Sequence, residues 1–238
     1  MKSKLLAIIA ITGGLSLTMI GTASAAPLGH PKHHPKPKPV TQVTGKQLAK
    51  ALLPGSAFGI GDTATGLVTS GGKLVSSGGS ISSYPCGDIL FGVPLIGQSA
   101  VALNTIESDG ALVGSQSISQ FKSNATAWWY LGQLKGKYNA CPTFSTGAGS
   151  SAQTGPISLS IDLQNVASTK VGKNSAFTVT QVVEVSDSFG DSTESLNTTV
   201  VQSGRNVYAI WEMNEGNTPV PNALLNKLIS RTRALYKG

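Results

Sequence analysis

The chain has 238 residues, a formal charge of +7 and 12% charged residues, a size that suits one domain with extensions. All three histidines fall between His30 and His34, which excludes Ser-His-Asp and Cys-His nucleophile systems and His-ligated zinc from the rest of the chain. Basic residues gather at the two ends, and between Val40 and Asn226 acids slightly outnumber bases, so no broad nucleic-acid face is expected.

Residues 1–25 read as a secretory signal peptide. Lys2 and Lys4 form the basic start, residues 5–20 the apolar stretch, and Ala23-Ser24-Ala25 the small-residue cleavage site. Thr12-Gly13-Gly14 interrupts the apolar stretch and leaves it short for a retained span. The mature chain is expected to begin at Ala26 with no lipid anchor, since no cysteine stands near the cleavage site. Residues 26–40 form a Pro/Lys/His-rich linker, extended and disordered. Its histidines offer a weak transition-metal site, and a charged spacer is the plainer reading. Lys32, Lys36 and Lys38, with Lys227, Arg231, Arg233 and Lys237 at the other end, suit sequence-blind attraction to anionic wall polymer or lipid headgroups. The plainer reading of the second group is a helix end whose cations favour the dipole.

Residues 41–238 read as a single α+β domain. Thr44 caps a short helix reaching Leu53, which Pro54-Gly55 ends. Residues 56–84 are a Gly/Ser/Thr-rich loop with short strands at 66–69 or 73–76, and residues 86–91 open a helical turn. Residues 101–107 alternate as a strand, and Ser108-Asp109-Gly110 turns it into a second strand over 113–122 whose alternation is poor.

Ser123 opens a helix that stops at Cys141-Pro142. At about 100° per residue, Ala127, Leu131, Leu134 and Tyr138 share its core-facing stripe, with Trp128 and Tyr130 on the flanks. The opposite strip holds Ala125, Trp129, Gly132 and Gly136. Glycines inside a helix cost about 1 kcal/mol each against alanine, so close approach by another element or a ligand is the expected reason for them. Trp129 is the candidate binding residue: a large stacking surface with one N–H donor on a strip of small residues. The competing reading is that another layer of the chain packs on this strip.

A mobile Gly/Ser-rich linker is expected over 145–156, followed by four strands at 157–163, 177–186, 196–203 and 207–213 with short links, an antiparallel meander. A last helix presents Leu224, Leu225, Leu228, Ile229 and Leu235 to the sheet. The expected fold is a twisted, mostly antiparallel sheet with helices packed on one face. Cys86 and Cys141 are expected to form a structural disulfide, because exported chains pair an even cysteine count and no CxxC spacing is present. Asp187, Asp191 and Glu194 form an acidic, glycine-containing turn that would suit calcium, or else a solvated hairpin. Asp162, Glu184 and Glu212 lie on strands that could share one sheet face, the minimum a carboxylate-pair hydrolase requires.

The order of leader, Pro-rich tail, helix ending Ala51-Leu52-Leu53-Pro54, Cys86, strand into a Trp-bearing helix ending at Cys141, meander and final helix resembles the PknH-type extracellular sensor domain of actinobacterial receptor kinases and its stand-alone relatives. The resemblance implies a central antiparallel sheet, a cleft for an unidentified ligand and no enzymatic activity. The chain departs from that family in having one cysteine pair rather than two, and no kinase or transmembrane segment. The expected function is a secreted, monomeric, non-catalytic ligand- or partner-binding domain of the bacterial cell envelope. It would need no cofactor, bind no nucleic acid and meet the membrane only through its cleaved signal peptide. The alternatives are a secreted hydrolase using a carboxylate pair and a structural cell-wall module held by its basic tail.

Overall fold

The computed structural model describes residues 43–59, 64–67, 86, 98–108, 111–151, 155–187, 190–214 and 218–236. The signal peptide and the linker read from the sequence lie outside these residues. Eight strands form one sheet: β1 (Ala64–Leu67), β2 (Gln98–Ser108), β3 (Ala111–Phe121), β4 (Thr143–Ser151), β5 (Gly155–Val171), β6 (Asn174–Asp187), β7 (Gly190–Ser203) and β8 (Asn206–Asn214). Their spatial order is β1-β2-β3-β8-β7-β6-β5-β4, with antiparallel neighbours throughout. The expected meander is there, and its turns are tight. Val171 pairs with Asn174 across Gly172 (φ +60°), and Ser203 with Asn206 across Gly204 (φ +59°), positions where a positive φ favours glycine.

Among the described residues three helices accompany the sheet: α1 (Gly45–Ala49), α2 (Asn124–Asn139) and α3 (Asn222–Ala234). Thr44 caps α1 reciprocally, its Oγ1 accepting from the Gln47 N–H while its own N–H donates to Gln47 Oε1. The helix expected to reach Leu53 stops at Ala49: the Ala51 and Leu52 N–H groups tighten to the Leu48 and Ala49 carbonyls, and the Leu53 N–H leaves the helix for Gln116. The Arg231 guanidinium donates to the Lys50 and Ala51 carbonyls, and Gln116 holds both backbone groups of Leu53. A 3-10 turn at Gly55–Phe58 follows.

The helices divide between the two faces of the sheet, where the sequence suggested one. On the front face α1 and α3 supply Leu48, Leu225, Leu228 and Ile229 against Ile118, Val201, Tyr208 and Ile210. On the back face α2 supplies Ala127, Tyr130, Leu131, Leu134 and Tyr138 against Phe121, Phe177, Val179, Val200 and Val207. Leu159, Ile161, Val183, Val185, Leu196 and Trp211 form a further buried group, and register places Val183, Leu196 and Trp211 on that same back face.

Two-sided packing explains β3, whose poor alternation hid it. Ser115, Gln116, Ser117, Ser119 and Gln120 are all buried, so the strand is central and covered on both sides. Small serines face α2, while Gln116 and Gln120 turn to the front and are satisfied by Leu53 and by the Tyr236 hydroxyl. The segment expected to be a mobile linker over 145–156 is largely strand β4, paired with β5. Backbone pairing at a sheet edge asks little of composition, which is why a Gly/Ser run passed for a linker.

Candidate functional site

Helix α2 carries the most distinctive surface of the chain. Ser123 caps it, its Oγ accepting from the Thr126 N–H at 3.1 Å, and the predicted stripe of Ala127, Leu131, Leu134 and Tyr138 is buried as a unit. Tyr130, expected at a flank, is fully buried with its ring 4.9 Å from that of Phe121. Burial drives the Tyr138 hydroxyl far above the ordinary tyrosine range. The helix is therefore anchored along its whole inner side.

Its outer side is open. Trp128 is 57% and Trp129 45% exposed, the large apolar side chains most exposed among the described residues. A Cβ built on Gly132 or on Gly136 would meet nothing within 4 Å. No described element approaches the strip; most of the 56–84 loop, the layer that could cover it, lies outside the described residues. Sequence reasoning singled out Trp129 and passed over Trp128. The available signal was angular: Trp128 lies about 90° from the centre of the buried stripe, and Tyr130, on the other side, about 70°.

Cys141, at the foot of α2, is bonded to Cys86 with a Cα separation of 5.8 Å. Both sulfurs join the cluster beneath the helix. Residues 87–91, where a helical turn was expected, lie outside the described set.

The acidic residues are only partly brought together: Asp162 and Glu184 are diagonal neighbours on adjacent strands, about 7–8 Å apart, and Glu212 is remote from both. Register puts Asp162, Glu184 and Glu212 on the front face. Asp162 and Glu184 are exposed, and Asp162 accepts from Thr143 and Gln164. Glu212 is two strands and four residues away from Glu184, a separation of about 16 Å, beyond the range glycosidases use. A groove of about 290 Å³ on this face is lined by neutral groups, among them Gln164, Asn165, Thr180, Asn197, Thr199 and Pro219. Glu212 stands next to Asn197 in register. The calcium reading named Asp187, Asp191 and Glu194, and the Asp187 side chain lies outside the described set. Asp191 and Glu194 are three positions apart on β7 and so project to opposite faces, and no group of three metal-ligating acids, histidines or cysteines occurs among the described residues.

Burial raises the Glu212 carboxyl above the ordinary glutamate range. An acid with a folded pKa above its unfolded one binds more protons when folded, so its contribution to stability falls as pH rises through that interval. Glu212→Gln is expected to stabilise the domain at neutral pH, with the difference from wild type shrinking as pH falls toward the unfolded glutamate range. Urea titrations across that range check it.

No family model matches the chain, and no curated protein matches it. A solved structure is similar in part: the extracellular domain of PknH from Mycobacterium tuberculosis, with a TM-score of 0.40 and 12% identity. The likeness covers 60% of this chain and 66% of that one, slightly under two thirds of the neighbour's length. It is a weak, fold-level similarity. It says nothing of site or ligand. Among the described residues no helix is long and apolar enough to cross a membrane.

Proposed function

We propose that this chain is a secreted, non-catalytic binding domain of the cell envelope, which engages an extracellular ligand or partner through α2. The observation that carries the reading is the pair of exposed indoles, Trp128 and Trp129, on a helix whose other side is rigidly packed. Solvent-facing tryptophans on a fixed scaffold offer large contact area with little ordering entropy to lose, as binding hot spots do. The leader and the disulfide support an extracellular setting. The exposure of Asp162 and Glu184, away from the groove's lining, supports binding over hydrolysis.

The test uses wild-type protein and Trp129→Ala, each mixed with envelope material of the producing cell and sedimented. Wild type is expected to co-sediment, and Trp129→Ala to do so several-fold less while losing about 1 kcal/mol of stability or less. A stability loss of about 3 to 5 kcal/mol would mark Trp129 as a core residue instead. Equal sedimentation of the two proteins would overturn the reading.

A further inference from the structure

The surface around the two indoles has a second property, its charge. From Gly110 to Ile161 the chain contains no aspartate or glutamate, and it contains Lys122, Lys135 and Lys137. This stretch takes in β3, α2, β4 and the start of β5. On a helical projection the outermost line of α2 runs through Ala125, Trp129 and Gly136, with Gly132 beside it and Lys135 and Lys137 on opposite flanks. Lys122 is exposed at the start of the helix, and Lys135 reaches β5, where its Nζ bonds Ser168 Oγ. Lys170, two residues further along β5, is exposed and projects on the same face. The result is a low apolar ridge, tall only at its indoles, bordered by cations, on a helix that itself carries no acid.

We propose that α2 docks this domain on an anionic membrane leaflet. Trp128 and Trp129 enter the headgroup region, and the flanking lysines meet lipid phosphates. Indoles favour that depth, having an apolar body with a polar N–H. Lysine stems lie along an apolar surface while their ammonium groups stay at the phosphates. Each basic residue near an anionic leaflet adds attraction that salt screens. The helix lies in the plane of the surface without crossing it. This proposal rests on the reading of α2 as a contact surface, and names the partner.

The experiment sediments the exported protein with vesicles of phosphatidylglycerol mixed with phosphatidylcholine, and with vesicles of phosphatidylcholine alone. The expected result is salt-sensitive binding to the anionic vesicles with a blue shift of indole emission, and at least tenfold weaker binding to the neutral ones. Trp128→Ala/Trp129→Ala is expected to lose binding at least tenfold while keeping its thermal midpoint. Gly132→Ala/Gly136→Ala is expected to bind as wild type does, because a fluid interface accommodates two methyl groups, and to be more stable because helical alanine is favoured over glycine. No binding to anionic vesicles overturns the proposal. So does binding that survives removal of both indoles, which would be adsorption through the basic tail, and so does loss of binding in the alanine-for-glycine variant, which would mark a folded partner seated on the strip. If vesicles fail while Trp129-dependent sedimentation with envelope material persists, the binding function stands and the membrane assignment falls.

Discussion

Gln116→Leu is expected to lower the stability of the domain by about 4 kcal/mol, read from the shift in the urea unfolding midpoint. The side chain is completely buried at the centre of the sheet. Its Oε1 accepts from the Leu53 N–H at 2.9 Å, and its Nε2 donates to the Leu53 carbonyl at 2.7 Å. One amide thereby completes both backbone groups of a residue 63 positions away. Leucine has a similar volume, so no large cavity opens. What is lost is the partner of two buried backbone groups, each costing about 1–3 kcal/mol when left unsatisfied. Ile118→Val, two residues along the same strand and on the same face, is the packing control and should cost about 1 kcal/mol. If the two variants cost the same, the amide is not what holds the segment after α1 to the sheet.

That pair of bonds also marks where the sequence stops being legible. A strand with one wet face declares itself by alternation, and the meander from β5 to β8 was read in order with its Ser203–Asn206 turn, although β5 and β6 were read short of the Gly172 turn that joins them. A central strand covered on both faces has no such period. In β3 the buried positions are filled by serine and glutamine, whose partners are distant backbone and side-chain groups, so the composition looks like that of an exposed segment. The division of helices between two faces was hidden for the same reason. It depends on which face each apolar residue of β3, β7 and β8 takes, and adjacent residues such as Val200 and Val201, or Val207 and Tyr208, serve opposite cores.

Helix α2 was legible because cap, stripe and stop agree. Ser123, the buried series from Ala127 to Tyr138, and Cys141-Pro142 all point to one geometry. The open strip could be located on the helix from sequence, since it is whatever lies opposite the stripe. Whether anything covers it is a tertiary fact, and so is the exposure of Trp128. The carboxylates show the converse. Their common face was guessable from period two, but their spacing follows from a strand order that places β7 between β6 and β8.

Removing the disulfide is expected to cost about 4 kcal/mol. Cys86 and Cys141 are 55 residues apart, and the loop they close contains β2, β3 and the whole of α2. In the chain-entropy account a cross-link of this span withdraws about 4 kcal/mol of conformational freedom from the unfolded ensemble. That is a large share of the 5–15 kcal/mol typical of a domain. The comparison should use Cys86→Ser/Cys141→Ser, because a single replacement leaves a reactive thiol beneath α2. Serine at 141 also places a hydroxyl where the sulfur is now only 2% exposed, so Cys86→Ala/Cys141→Ala separates polarity from entropy. Buried Trp211 reports sheet unfolding in both variants, although the exposed Trp128 and Trp129 add emission that changes less. If the loop accounts for the effect, both double variants lose similar stability and keep the native fold, since α2 remains seated through Tyr130, Leu134 and Tyr138. A loss below about 1 kcal/mol in the alanine pair would mean that the unfolded chain is already constrained in this region. A loss in the serine pair alone would assign the cost to the buried hydroxyl.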